Sequence, residues 1–394
     1  MKEEYRKLFD TPVDRRGTHS LKWDVRDNEL PMWVADMDFE TAPCIKEALI
    51  ERAKHGVFGY SIIPDEFFES IIGWWQRRHH ITFEKDWMIF STGVVPAISS
   101  IVRKITTPAE NVLIQSPVYN IFYNSIFNNG RNILSSDLVY ENGEYHIDFV
   151  DLENKLKNPQ TTLMILCNPH NPIGKIWSRE ELAKIGELCH KYNVTVISDE
   201  IHCDITNPGK EYIPFASVND VCRDISITCI AGSKVFNLGG LQSACVVVPN
   251  KFLKHKVERG LNTDEVAEPN AFAMSANIAG FKYGDEWVSK LNNYIYENKK
   301  IFYDYVNKNL PKLYIIPSEA TYLLWVDVRK YTDDATTLCE YLRSKTGLYV
   351  CEGSEYGVNG KAFFRINLAT SKYNVLDALE RLKAGLELFE SESK

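Results

Sequence analysis

The chain has 394 residues, 44% hydrophobic and 25% charged, with a net charge of −8. That is ordinary soluble-globular composition in a chain long enough for two domains, and no dense run of lysine or arginine offers a surface for nucleic acid. Its apolar runs, such as 161–167 and 194–198, are too short to span a bilayer, and residues 1–16 are charged throughout, unlike a secretory leader.

In chain order, β-branched runs at 87–91, 111–115, 161–166, 195–198, 225–230 and 243–248 predict strands. Amphipathic stretches lie between them. In 179–192, Leu182, Ile185, Leu188 and Cys189 share one helical face, and Ser178 with Glu181 forms a capping box at its start. This alternation predicts an α/β domain around a mostly parallel sheet flanked by helices. Beyond about residue 284 the texture changes to a long helix at 287–309, strands at 313–316, 322–328 and 363–368, and helices at 335–345 and 374–390. The expected division is an N-terminal segment at 1–40 associated with a smaller α+β domain at 286–394, and a large domain at 41–285.

Nine dispersed cysteines, none in a C-x-x-C pair, fit reduced thiols in a cytoplasmic protein. His202 and Cys203 lack zinc-ligand spacing, and neighbours in a strand would point to opposite faces, so no metal is expected.

Six segments carry chemistry. AGSKVFNLGG (231–240) follows a strand and sets Lys234 among small residues. A lysine in such a crevice loses its proton by desolvation and attacks an aldehyde, and Ser233 beside it has a hydroxyl for a phosphate; an ordinary loop lysine has the same local sequence. VTVISDEIHCD (194–204) ends a buried strand in Asp199 and Glu200, where open α/β sheets bind ligands. An aspartate there suits a protonated pyridine nitrogen, a helix cap or a metal. CNPHNPIG (167–174) holds two Asn-Pro pairs, a stiff turn able to aim Asn171 at a ligand oxygen. FSTGVV (90–95) runs from strand to helix, where free backbone N–H groups at Val94 and Val95 favour a phosphate, and SPVYNIF (116–122) puts Tyr119 where it either stacks on a flat ligand or fills the core. FFRINLA (363–369) sets Arg365 in an apolar strand, a position suited to a carboxylate ligand or a structural ion pair.

In order, these segments resemble the class I/II aminotransferase family of fold-type I pyridoxal-phosphate enzymes, and within it the MalY/PatB-type cystathionine β-lyases. PMWVADMDF (31–39), FGYS (58–61), CNPHNPIG, SDEIHCD and ANIAGFKYGDEW (276–287) carry the likeness, which runs from about Trp23 to the C-terminus. The resemblance implies that Lys234 holds pyridoxal 5′-phosphate as a Schiff base and then removes the substrate Cα proton. It implies that Asp199 pairs with the ring nitrogen, Tyr119 stacks on the ring and Asn171 bonds its phenolic oxygen. Val94, Val95 and Ser233 hold the phosphate, with Tyr60 reaching it from the neighbouring subunit of a homodimer. Arg365 grips the substrate carboxylate and Trp33 lines the substrate cleft. Two positions depart from the wider family: His202 replaces a tyrosine at the phenolic oxygen, and Gln242 an arginine at the phosphate. Both departures resemble the β-lyase subgroup. The implied reaction is β-elimination from cystathionine or a related cysteine conjugate, with transamination by the same residues as the alternative.

Overall fold

The structure is a computed structural model, and it describes residues 3–392. Its strands, in chain order, are Leu30–Pro31 (β1), Met88–Ser91 (β2), Asn111–Ile114 (β3), Asn132–Ser135 (β4), Val139–Glu141 (β5), Glu144–His146 (β6), Thr161–Cys167 (β7) and Thr195–Asp199 (β8). They continue with Ser226–Ile230 (β9), Ala244–Val247 (β10), Tyr314–Ile315 (β11), Leu323–Asp327 (β12), Leu348–Tyr349 (β13), Cys351–Glu352 (β14) and Phe363–Asn367 (β15).

Seven of them form one sheet in the order β2-β10-β9-β8-β7-β3-β4. Every pairing from β9 to β4 is parallel, whereas β10 runs antiparallel to both β9 and β2. Helices cover both faces, so β3, β9 and β10 are buried at every residue and are mostly apolar without a polar-out alternation, their few polar residues, such as Ser226 and Thr228, being buried as well. Two apolar clusters fill the two sides. Ile98, Ile101, Val112, Ile165 and Val246 belong to one, and Leu113, Met164, Leu182, Ile185 and Val196 to the other. Helix Arg179–Lys191 begins at the expected capping box, with Ser178 Oγ accepting from the Glu181 N–H and the Glu181 carboxylate accepting from the Ser178 N–H.

A second, four-stranded sheet has the order β11-β12-β15-β14, all antiparallel. It packs on helices Ala335–Thr346 and Lys372–Glu392 through Leu338, Leu342, Ile366, Val375 and Leu379. Near the N-terminus β1 pairs in parallel with β13, tying residues 30–31 to this second layer.

A turn at 318–321 clasps the two sheets together. The N–H groups of Glu319 and Ala320 both donate to the Gly174 carbonyl, Asn207 N–H donates to Glu319 O, and Thr321 N–H donates to Ile205 O. Gly174 has a φ of +69° and a built Cβ there would lie 2.3 Å from Ser318 Oγ, so only glycine fits the clasp. Beneath it the Nζ of the buried Lys299, on helix Asp285–Asn309, lies within hydrogen-bond distance of Asn207 Oδ1, Ser318 Oγ and Ala320 O, at 2.9, 3.0 and 3.2 Å.

Candidate active site

Open α/β sheets bind ligands outside the carboxyl ends of their strands, and five segments meet there. Gly93–Val95 follow β2, Tyr119 follows β3, Asn171 follows β7, Asp199 ends β8 and Lys234 follows β9. Between them lies a cavity of about 350 Å³. Its walls include Val94, Val95, Tyr119, Asn171, Asp199, His202, Ser233 and Lys234, so eight of the candidate residues share one space.

At one end is the start of helix Val94–Ile105. No side chain caps it, and its first N–H groups have no partner within the helix. Thr92 and Ser233 stand on the same wall, which makes this end an anion cradle. Gln242, at the position where the wider family carries an arginine, also lines the cavity.

At the other end is Asp199, buried among β7, β8 and β9. Its Oδ1 accepts the Ile201 N–H at 3.2 Å, and among the described residues no cation pairs with it. Burial therefore raises its pKa to about 7, against smaller lowering contributions from the Ile201 N–H and Lys234. Lys234 is pulled down to about 8, first by burial and then by the positive charge of Arg365. His202 is held well below its ordinary value by burial, Lys234 and Arg365, so it is neutral, and its Nδ1 has no partner.

Arg365 of β15 lies behind Asn171. Nη1 donates to Asn171 Oδ1 at 3.2 Å, Nη2 donates to Trp33 O at 2.9 Å, and Nε is buried without a partner. Its guanidinium lies 5.0 Å from the Tyr356 ring centroid, and no carboxylate among the described residues pairs with it. A buried guanidinium with free donors and no paired acid has the chemistry to take a carboxylate from outside.

Two candidates lie elsewhere. Tyr60 is fully exposed, in a segment with Val57, Phe58 and Ile62 that projects from the surface after helix Pro43–His55 ends at Gly56. The Trp33 indole stacks on Tyr349 at 4.9 Å and lines a neighbouring pocket; its backbone, not its ring, reaches Arg365. Residues 201–204 form successive turns rather than a strand, because Cys203 N–H returns to Glu200 O and Ile205 N–H to His202 O. Cys203 consequently meets His79 and Asp204, whose carboxylate already accepts from Trp74, Arg78 and His79.

Sequence reasoning did not single out Ala35 or Tyr322. The Ala35 carbonyl accepts from Lys234 Nζ at 2.7 Å and from the Tyr322 hydroxyl at 2.8 Å. Ala35 stood inside a quoted motif, but nothing in a sequence announces a carbonyl acceptor.

The fold and the site together define a doubly wound α/β protein with a deprotonatable lysine facing a buried aspartate and an anion cradle. The chain belongs to the aminotransferase class I and II family, whose pattern matches residues 29–382. It is 41% identical over 384 residues to cystathionine beta-lyase PatB of Bacillus subtilis, covering 96% of this chain and 99% of that one. Protein MalY of Escherichia coli is 33% identical, over 96% of this chain and 97% of its own. Cystalysin from Treponema denticola, solved with pyridoxal 5′-phosphate, superposes with a TM-score of 0.93 at 32% identity, covering 96% of this chain and 98% of that one.

Proposed function

We propose that this chain is a pyridoxal-phosphate-dependent carbon–sulfur β-lyase that cleaves cystathionine or a related cysteine S-conjugate to a thiol, pyruvate and ammonia. The observation that carries the reaction class is the 41% identity to a cystathionine beta-lyase across almost the whole of both chains.

The cavity fits the cofactor. Asp199 has no cation paired with it among the described residues and suits a protonated ring nitrogen, the N-terminus of helix Val94–Ile105 with Thr92 and Ser233 suits the phosphate, and Tyr119 offers an aromatic face between them. Asn171 and the neutral His202 are the candidates for the phenolic oxygen. Bound there, the cofactor supplies an electron sink for negative charge developing at the substrate Cα.

The chain's own residues do the rest. Arg365 binds the α-carboxylate with the donors that Asn171 and Trp33 leave free, which fixes the orientation of the Cα–H bond. Lys234 takes the Cα proton onto Nζ, a role suited to an amine whose pKa lies near 8. The Cβ–S bond then breaks, the sulfur leaves with the electron pair, and the proton on Lys234 is available to it. The unsaturated three-carbon product hydrolyses to pyruvate and ammonia.

The proposal includes a homodimer, supported by the exposed apolar segment Val57, Phe58, Tyr60 and Ile62, with Tyr60 reaching the neighbouring subunit's phosphate site. A cytoplasmic location is supported by nine free cysteines; no helix of the described residues is long and apolar enough to cross a membrane. The division at residues 40 and 285 is supported by the two separate sheets.

The test is incubation with cystathionine and no keto acid. Stoichiometric pyruvate and thiol are expected. Turnover that starts only when a keto acid is added would replace this reading with an aminotransferase.

A further inference from the structure

Residues 33–37 form a strap that reaches the cavity at Ala35, and its carbonyls are taken one after another. Trp33 O accepts from Arg365, Val34 O and Asp36 O both accept from Asn367 Nδ2 at 2.6 Å, and Met37 O accepts from Asn237 and Arg15. The Asn367 amide thus straddles Ala35 and turns its carbonyl out of the strap. That carbonyl faces two donors, Lys234 Nζ and the Tyr322 hydroxyl.

Tyr322 is fully buried and its ring lies edge-on to His202, with centroids 5.9 Å apart. It enters β12 straight from the clasp, where Thr321 adopts a φ of +63°. A β-branched residue rarely holds that conformation unless its surroundings impose it, and the Thr321 N–H bond to Ile205 O helps to do so. The Tyr322 hydroxyl is therefore delivered to Ala35 by a rigid mount.

We infer that Tyr322 is a positioning residue for the base: through the Ala35 carbonyl it gives the unattached Lys234 amine a resting point that directs its lone pair into the cavity and keeps it off Asp199. The inference rests on the reading of Lys234 as the proton-transferring group. Competition for the amine is the physical reason. Four ionisable groups surround it: Asp199 and Asp36 attract its charge, Arg365 repels it, and His202 is neutral. A free ammonium swinging to Asp199 would occupy the carboxylate that the ring nitrogen needs. One Lys N–H donated to Ala35 O leaves the other two tetrahedral positions of Nζ, the second N–H and the lone pair, pointing away from the strap.

Tyr322→Phe removes the hydroxyl and keeps the ring. In cofactor-free protein, the pH of half-maximal acetylation of Lys234, followed by competitive labelling with acetic anhydride and mass spectrometry, is expected to rise by about half a unit or more, because Asp199 becomes the amine's partner. In the loaded enzyme, kcat is expected to fall about three- to tenfold with KM within twofold, the loss of one positioning hydrogen bond. An unchanged or lowered half-labelling pH would overturn the inference, as would a change confined to KM. Thermal melting of the two proteins separates a folding defect from a positioning one. If the wild type itself releases no pyruvate from cystathionine, the lyase reading fails, while the labelling comparison still decides whether Tyr322 positions the amine.

Discussion

Replacing Arg365 with lysine keeps the charge and removes the fork. Arginine carries five N–H donors, and the structure commits two of them, one to Asn171 Oδ1 and one to Trp33 O. Three donors remain, enough for a two-pronged grip on a carboxylate. A lysine offers three in all, so if Asn171 and Trp33 keep theirs, one is left for substrate. The substitution then deletes one charge-assisted hydrogen bond, worth about 1.5–3 kcal/mol, or roughly a 10- to 150-fold loss in kcat/KM. Steady-state pyruvate release from cystathionine measures it, with cofactor absorbance as the check that the cavity remains loaded. A variant within threefold of wild type would refute the assignment of Arg365 to the carboxylate. Lys234 provides an internal control, since the residue-365 charge that depresses it is retained.

Other outcomes follow from the same geometry. Lys234→Ala should abolish turnover with circular dichroism unchanged, and borohydride treatment of the wild type should attach the cofactor to the peptide carrying residue 234; a label on any other lysine would mean the site is misassigned. Cofactor incorporation into cofactor-free protein should speed up as pH rises and level off above about 8, because only the neutral amine attacks an aldehyde; a stopped-flow rate that still climbs steeply through pH 9 with no plateau would contradict a depressed lysine. Lys299 is brought down to about 7 by burial from an ordinary 10.5. Between those values the unfolded chain holds a proton that the folded chain has released, so folding stability gains as pH rises from about 7 toward 10.5. Urea denaturation of wild type and Lys299→Met across this range should show that gain in the wild type alone.

Six of the seven strands of the large sheet fall within one residue of the sequence reading at either end, and burial explains why. A strand covered on both faces is rich in apolar and β-branched residues at successive positions, as in TTLMILC and SITCI, and that run stands out from its neighbours. The edge strand β4, with the sequence NILS and partly exposed along its length, carries no such signal and was not anticipated. Nor was the reversed direction of β10, since strand composition is blind to polarity. The site was legible where chemistry follows a strand directly, as at Lys234, Asp199 and Asn171. It was not legible at Ala35 and Tyr322, 287 residues apart, whose contact exists only once the strap and the clasp have both folded. His202 and Cys203, treated in the sequence as neighbours in a strand, lie instead in turns beyond the end of β8, where the Ile201 N–H donates back to the Asp199 carboxylate.

The clasp limits how the chain can be recombined with its relatives. The loop that presents Asn171 ends at Gly174, and Gly174 is gripped by a turn almost 150 residues later in the chain. A crossover placed in the long helix would join one parent's loop to the other parent's turn, splitting a contact in which Ser318 and the Ala320 carbonyl leave no room for a side chain at 174. Chimeras that inherit 167–174 and 318–322 from a single parent are expected to fold and bind cofactor more often than those that mix them. For this architecture the heritable module is a contact between two segments, not a contiguous stretch of sequence.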